Sequence, residues 1–174
     1  RPGAALSAPG EHAARFAAVA APLLDEAFLA GAEFAREVVP GAAVAEPAAG
    51  PEAGSLAEGL TSALRARIEA ALAEAGPDEA AAAESVGAAY RSWKGERTES
   101  LAMDHVVAAF QEGVLAAVPP GTPLRWVVDD DGPCPDCDDN ELAGATPAGE
   151  GFPTGQPHPP AHPGCRCVLA PAPA

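Results

Sequence analysis

Apolar residues recur at three- and four-residue spacing through most of the first 118 residues, and this pattern predicts a series of helices. Residues 11–39 form the first predicted helix. Its buried stripe should consist of Phe16, Val19, Leu23 and Ala27. Pro22 is expected to kink or divide this helix, because proline lacks an amide proton and crowds the preceding turn.

The next stretch, residues 40–54, reads "PGAAVAEPAAGPEAG" and is predicted to be a linker, because it offers little apolar side chain to bury. A second helix is predicted from Ser55, since Ser55 and Glu58 have the spacing of a capping box. This helix should end at Gly76 and Pro77. Its apolar face comprises Leu56, Leu60, Leu64, Ile68 and Leu72.

Two more helices are predicted before residue 120. One begins at Asp78, carries Trp93 as a core anchor and is interrupted at Gly95. The other ends before Pro119 and has the clearest amphipathic pattern of the chain. Its buried face should comprise Met103, Val107, Phe110, Val114 and Val118.

Beyond residue 120 the pattern changes to short apolar runs between turn residues. "LRWVVDD" at 124–130 and "CRCVLAP" at 165–171 predict two short strands that pair with each other. The predicted fold class is therefore mainly α with a small irregular α+β C-terminal module, in which a helical arm precedes a two-stranded, metal-stapled knuckle. Three regions follow from this organisation: 1–54, an Ala/Pro-rich helical arm and linker; 55–120, a helical region; and 121–174, a Cys/His-rich module.

Composition indicates that the core is small. Hydrophobic residues make up 48% of the 174 residues, but many are alanine, and aromatic residues contribute only 5%. Alanine buries little area, whereas each buried Leu, Ile, Val or Phe contributes roughly 1.5–3 kcal/mol. A chain of this kind is expected to need a staple in addition to its hydrophobic core.

The charge of the chain bears on its partners. Its formal net charge is -15, and only 10 residues are Lys or Arg. Nucleic-acid phosphates and anionic lipids should be repelled, so we expect no direct binding to nucleic acid and no membrane association. The apolar runs are also broken by acidic residues well before the ~20 residues that a membrane span requires.

All four cysteines lie in two short pieces of the C-terminal module. Cys134 and Cys137 form a C-x2-C pair, and Cys165 and Cys167 form a C-x-C pair. A C-x2-C turn directs two thiolates at one ion, and residues two apart on an extended segment point to the same side. His162 precedes the second pair, and His158 lies four residues earlier.

Thiolate and imidazole groups together favour zinc, which binds such ligands tetrahedrally and could supply the folding free energy of a nearly coreless segment. Two alternatives remain open. Two disulfides, for example Cys134 to Cys165 and Cys137 to Cys167, would staple the same loop in an oxidising compartment. The cysteines could otherwise be free thiols without a special role.

Catalytic motifs are absent from the sequence. It contains no G-x-S-x-G, H-E-x-x-H, P-loop or glycine-rich dinucleotide turn. We therefore predict a protein that is not an enzyme and has no small-molecule substrate. A thiol hydrolase, with Cys165 and His162 as a nucleophile pair, or a metal-dependent hydrolase is the less favoured alternative.

The motifs from residue 85 to residue 171 resemble the C-terminal region of phage Mu F-like head morphogenesis, or minor head, proteins. The resemblance rests on "LRWVVDDDGPCPDC", "NELAG", "GFPTG" and above all "PPAHPGCRCVLAP". It implies a structural, metal-binding knuckle, and the residues that match the family's ligands are Cys134, Cys137, His162, Cys165 and Cys167. His158 lies outside the matching motif.

The same resemblance implies a biological role. Such a protein would be a minor, non-enzymatic component of a phage or prophage head, acting in virion assembly through contacts with portal or capsid proteins, and would be found in the cytoplasm or the virion. The first 80 residues match nothing in that family. A domesticated bacterial zinc-binding adaptor is therefore the alternative, and a neighbouring portal or terminase gene would distinguish the two.

Overall fold

The computed structural model describes residues 8–129, 132 and 134–172, with only the backbone described at Pro9, Glu96 and Arg97. The described chain is mainly helical and carries a small antiparallel sheet near its C-terminus, which confirms the predicted fold class. In chain order the elements are α1 (Pro9–Val38), α2 (Gly50–Ala75), α3 (Glu79–Trp93), α4 (Glu96–Ala117), β1 (Pro123–Val127), α5 (Pro135–Leu142), β2 (Ala145–Pro147) and β3 (Val168–Pro171).

The sheet has three strands in the order β2-β1-β3. The predicted pairing of the first and last strands is confirmed, with Trp126 opposite Leu169. The predicted number of two strands is wrong, because β2 adds a third strand on the other edge of β1. That strand has only three residues and ends in Pro147, so neither length nor β-propensity marked it in the sequence.

Helix α1 differs from its prediction in two ways. It continues without a break through Pro22. Its predicted stripe is also wrong, because Phe16, Val19 and Leu23 are 39%, 70% and 61% exposed. The buried face instead consists of Leu24, Phe28, Ala32 and Ala35. Alanine occupies so many positions of this helix that the spacing of its larger side chains does not reveal which face meets a partner.

Close contact between α1 and α4 explains why the face of α1 that carries Phe28 and Ala32 is the buried one. A Cβ atom on Gly31 of α1 would lie 1.9 Å from the carbonyl oxygen of Phe110, and one on Gly113 of α4 would lie 1.9 Å from that of Phe28. The two backbones therefore touch at a reciprocal pair of glycines. Only the missing side chains allow the helices to cross at this distance.

Helix α2 begins earlier than predicted. Its first residue is Gly50, and Ser55 lies inside the helix, so the capping box at Ser55 is wrong. The segment predicted as a linker also contributes to the core, because Ala49 and Ala53 are buried. The amide of Ala49 donates a 3.1 Å hydrogen bond to Asp25 Oδ1, which ties the start of α2 to α1.

The predictions for α3 and α4 hold in most respects. The Asp78 side chain caps α3, accepting hydrogen bonds from the amides of Ala80 and Ala81, and Gly95 separates α3 from α4. Trp93 is buried and donates from its indole nitrogen to the carbonyl of Leu60 at 3.0 Å. On α4, Met103 is 43% exposed, contrary to its predicted burial.

Buried residues form two hydrophobic clusters. The helical cluster lies among α1, α2, α3 and α4 and includes Leu24, Phe28 and Trp93. The C-terminal cluster joins the ends of α1 and α4 to the sheet and to the buried cysteines, with Trp126 among its largest members. None of the described helices is long and apolar enough to cross a membrane.

Candidate metal centre

Helix α5 positions the first two thiols. Cys134 is its N-cap residue, and Pro135 occupies the first helical position, where its missing amide proton costs nothing. The amide of Cys137 donates to Cys134 Sγ at 3.4 Å. Both sulfurs therefore lie at the N-terminus of a helix, where the backbone dipoles favour negative charge.

A tight turn positions the other donors. Gly164 has a φ of 82°, a conformation that favours glycine, and the amide of Cys165 donates to the carbonyl of His162 at 3.1 Å. Cys165 and Cys167 are both buried, whereas Val168 beyond them is exposed. Their shared burial agrees with the predicted convergence of the C-x-C pair.

The five predicted ligands meet at one place. They form two groups of three whose donor atoms lie within 4.8 Å of one another: Cys134, Cys137 and His162, and Cys137, Cys165 and Cys167. Cys137 belongs to both groups. The predicted ligands are thus brought together as a cluster that could hold a metal ion.

The shortest distances between the donors can be compared with those around a tetrahedral ion. His162 Nε2 lies 3.1 Å from Cys134 Sγ and 3.5 Å from Cys137 Sγ, and the sulfurs of Cys137 and Cys165 are 3.8 Å apart. With metal bonds of the lengths typical of zinc, a tetrahedron has edges of about 3.8 Å between sulfurs and about 3.6 Å between sulfur and nitrogen. The sulfur pair matches its edge and the two sulfur–nitrogen distances are shorter than theirs, and each group of three, but no set of four donors, lies mutually within 4.8 Å.

The orientation of the His162 ring also suits metal binding. Its Nδ1 atom lies 3.0 Å from the carbonyl oxygen of Pro163, so an Nδ1 proton can be donated to that oxygen. This hydrogen bond leaves the lone pair on Nε2, the atom that faces the thiols. Histidine ligands of metals almost always have such a partner on the other ring nitrogen.

Burial affects the protonation of the Cys137 and Cys167 thiols. Burial, together with hydrogen bonds that the Cys137 thiol donates to neighbouring sulfurs, raises the pKa of Cys137 well above its usual range. Burial likewise raises the pKa of Cys167, while the indole N–H of Trp126 opposes that rise. Neutral thiols are therefore the stable form without a cation, and a metal would have to displace their protons.

The Trp126 indole itself has an unusual position. Its Nε1 atom is buried and has no hydrogen-bond partner of ordinary geometry among the described residues. Its lowering of the Cys167 pKa nevertheless indicates that the N–H lies near that sulfur. A thiolate at Cys167 would give this buried donor an acceptor, as outer-shell donors do at metal sites.

The disulfide alternative and the omission of His158 from the ligand set can both be compared with this geometry. All four cysteines are free thiols in this structure, and the 3.8 Å between Cys137 Sγ and Cys165 Sγ is far beyond a disulfide bond of about 2.05 Å. His158 is not part of either donor group, and its Nδ1 contacts the carbonyl oxygen of Pro159 at 2.6 Å. Its omission from the predicted ligand set agrees with this geometry.

Comparisons of the chain with models of protein families, with curated proteins and with solved structures find nothing similar to it.

The contact that attaches this loop to the helices was not predictable from the sequence. Asp104 lies on α4 and is nearly buried. Its Oδ1 atom accepts hydrogen bonds from the Gly164 amide at 3.0 Å and from Arg166 Nη1 at 2.9 Å. An acidic residue in an amphipathic helix is expected to face solvent. Only the fold shows that Asp104 lies beside the turn at Gly164.

Two further polar contacts support the module. Gln111 Oε1 on α4 accepts from the Leu169 amide at 3.0 Å, which satisfies an edge group of β3. Asn140 of α5 is fully buried, and its side chain exchanges hydrogen bonds with the amide and hydroxyl of Thr154. Side chains thus bind the backbone where regular structure is absent.

A separate polar group lies beside the loop. His105 of α4 and Glu52 of α2 are in contact, and both side chains are only 18% exposed. The pKa of Glu112 is raised, first by burial and then by the Glu52 carboxylate, and His158 and His105 counteract that rise. These groups connect α2, α4 and the proline-rich loop, but they do not belong to the donor cluster.

Proposed function

We propose that the C-terminal module is a structural zinc knuckle, and that the protein acts as a non-enzymatic component of phage head morphogenesis, similar to the Mu F-like minor head proteins. The observation that supports the first part is the convergence of five soft and borderline donors around Cys137. The second part rests on the spacing and context of the same residues in the sequence.

Zinc fits the donor set better than other common ions. Cysteine thiolates together with an imidazole are typical of structural zinc, whereas magnesium and calcium prefer oxygen ligands. Four of the five donors suffice for a tetrahedron. A site filled by four protein ligands leaves no open position for substrate, so it stabilises structure rather than performing catalysis.

The surrounding segment explains why an ion would be needed. From residue 148 to residue 167 the chain has no helix or strand and contains five of its 20 prolines. Phe152 is the only large apolar side chain in that stretch, and it packs edge-on against Trp126 with ring centroids 5.1 Å apart. Metal binding would supply the free energy that this segment cannot gain by burying apolar surface.

The proposed role in the head is to bind protein. The strongly acidic composition opposes contact with the packaged genome, so portal or capsid proteins are the expected partners. The zinc knuckle would hold the proline-rich loop in one conformation as a recognition surface. The protein would be made in the cytoplasm and would remain in the virion.

Metal analysis tests the first part of the proposal. Protein purified under reducing conditions should contain one zinc ion per chain, and chelation should lower the temperature at which the C-terminal module unfolds. A protein that contains no metal and is equally stable with and without chelator would overturn the zinc knuckle.

Particle composition tests the role in the head. If the gene lies next to portal and terminase genes, induction should yield particles that contain this chain in a few copies, detected by mass spectrometry. Particles that lack the chain, or a gene among unrelated neighbours, would favour the bacterial adaptor instead.

A further inference from the structure

A second surface of the molecule has the properties of a docking site. α1, α2 and α3 enclose a cavity of about 180 Å³ whose lining includes Phe16, Leu64, Ile68, Tyr90 and Trp93. We call this cavity the aromatic groove. None of its lining residues belongs to the candidate metal centre.

The floor of the aromatic groove is preformed. Phe16 meets Trp93 edge-on with ring centroids 6.2 Å apart, and Tyr90 lies 5.8 Å from the same indole ring. The Trp93 indole is fixed by its hydrogen bond to Leu60. Such a groove is smaller than the 300 Å³ or more typical of small-molecule sites. It suits one large apolar side chain inserted by a partner, as buried anchors do at interfaces.

Apolar surface continues from the groove along α1. Val19 and Leu23 are 70% and 61% exposed, and Phe16 precedes them at helical spacing on the same helix. Tyr90 on α3 adds a 49% exposed aromatic ring. Exposed apolar side chains that occur singly need no explanation, but a continuous strip beside a preformed groove marks an interaction surface.

The charge around this strip identifies the occupant. In a chain with 25 acidic residues, α1 has none between Glu11 and Asp25, and α3 has none after Glu84. The exposed cations of these two segments are Arg15, Arg91 and Lys94. Salt at physiological ionic strength screens exposed charges beyond about 8 Å, so these cations act on a helix docked beside them more strongly than distant acids do.

Other ionic groups lie on α2 at the edge of the groove. Arg65 lines the cavity and pairs with Glu69 at 2.8 Å. Arg67 donates to Ser92 Oγ of α3 at 3.0 Å. The Arg65–Glu69 pair is locally neutral, so the basic character beside the groove comes from Arg15, Arg91 and Lys94.

From this combination we propose that the aromatic groove binds an acidic amphipathic helix of a partner protein, with one large apolar side chain in the cavity and acidic side chains against Arg15, Arg91 and Lys94. An apolar helix face in an apolar groove is a common mode of peptide recognition. The complementary charge would set its orientation and exclude basic segments.

Two labelled synthetic peptides test the proposal with the full-length protein. Both carry Leu and Phe on one helical face, and the other face carries Glu in one peptide and Lys in the other. Fluorescence anisotropy should show that the Glu peptide binds and that the Lys peptide does not. Binding should weaken about tenfold or more in the double variant Arg15→Glu, Lys94→Glu, and also in Val19→Asp.

A matched control separates the groove from net charge. Arg125 is exposed on β1, and Arg125→Glu makes the same change of charge as each single substitution of the double variant, but away from α1–α3, so it should leave peptide affinity unchanged. Circular dichroism and zinc content should be those of the wild type in every variant. Equal binding of the two peptides, no binding of the Glu peptide, or equal weakening by Arg125→Glu would overturn the proposal.

Two other occupants are distinguishable in the same series. If a second copy covers the groove, sedimentation should show a dimer that Val19→Asp dissociates. If a membrane covers it, vesicles containing phosphatidylglycerol should bind the wild type and not the double variant. Either result without binding of the Glu peptide would also overturn the proposal.

Discussion

The helical region (residues 8–117) and the C-terminal module (residues 121–172 as far as described) each contain one buried tryptophan, yet different forces stabilise the surroundings of the two rings. Trp93 lies among helices that are long, regular and closely packed. Trp126 lies on the central strand of the three-stranded sheet, in one cluster with the four thiols. The comparison shows that an alanine-rich chain can be stabilised by close helix contact in one region and by polar and candidate metal contacts in another.

The largest expected effect is a loss confined to the module. Cys137→Ser removes the thiol that belongs to both donor groups, and structural zinc contributes on the order of 10 kcal/mol to the folding of small metal-binding domains. We expect the variant to lose its zinc and the buried environment of Trp126, while the helical circular dichroism remains. Zinc content and tryptophan emission measure these effects.

Asp138→Asn is the control for that variant, because Asp138 is exposed on the same short helix. It should retain its zinc. A Cys137→Ser protein with full zinc content and wild-type emission would mean that the thiols do not form the centre.

The second prediction disturbs the helical region instead. Gly113→Ala places a Cβ atom 1.9 Å from the carbonyl oxygen of Phe28, so α1 and α4 must move apart. Overpacking typically costs 1–3 kcal/mol, and contact with backbone should bring the cost to about 3 kcal/mol. Urea unfolding followed by circular dichroism gives the change, which should be the same with and without zinc.

Gly54 offers the matched control. A Cβ atom there would meet nothing within 4 Å, and the residue lies inside α2. Gly54→Ala should therefore stabilise the protein by about 0.5–1 kcal/mol. If Gly113→Ala is as harmless as Gly54→Ala, the close crossing of α1 and α4 is not required for the fold.

A third prediction concerns the connection between the two regions. Asp104→Ala leaves the amide of Gly164 and the guanidinium of Arg166 without their acceptor, at an expected cost of about 1–3 kcal/mol. The module should then unfold before the helices, whereas the wild type should unfold in one step. Glu99→Ala, a change at an exposed acid of the same helix, should leave a single transition.

A smaller effect is expected from pH. Burial and the Glu52 carboxylate raise the pKa of Glu112, so the folded protein favours its protonated form more than the unfolded chain does. The stability linked to this proton is fully present below about pH 4, the ordinary range of glutamate, and is lost as the pH rises through the raised pKa. Glu112→Gln should remove this part of the pH dependence of unfolding, and Glu99→Gln should not.

The smallest effect should come from His158→Ala. This histidine lies outside the donor groups, its Nδ1 contacts the carbonyl oxygen of Pro159, and its charge counteracts the raised pKa of Glu112. Zinc content should be unchanged, and stability should change by about 0.5 kcal/mol or less. His162→Ala is its counterpart and should weaken zinc binding strongly. Reversed results for the two histidines would require a different ligand set.

The sequence predicted these two regions unequally well. In the module, the thiols and His162 lie within a few residues of one another in each half, and their chemistry requires convergence. The ligand cluster could therefore be predicted without the fold. The short strand β2 could not, because three residues ending in Pro147 form a strand only beside β1.

In the helical region the existence of helices was predictable, but their packing was not. Alanine is apolar on every face, so the pattern placed Val19 and Leu23 in a core where the structure leaves them exposed. The deciding residues are glycines, since Gly31 and Gly113 allow contact that larger side chains forbid. Asp104 is a similar case, because its role depends on a loop sixty residues away in the chain.

Selective loss of the module on metal removal tests the central claim most directly. In a Trp93→Phe variant, Trp126 is the only tryptophan, so its emission reports on the module alone. Adding chelator under reducing conditions should shift that emission to longer wavelength while helical circular dichroism is retained, and zinc should restore it at one ion per chain. Emission that is unchanged by chelator would contradict the account.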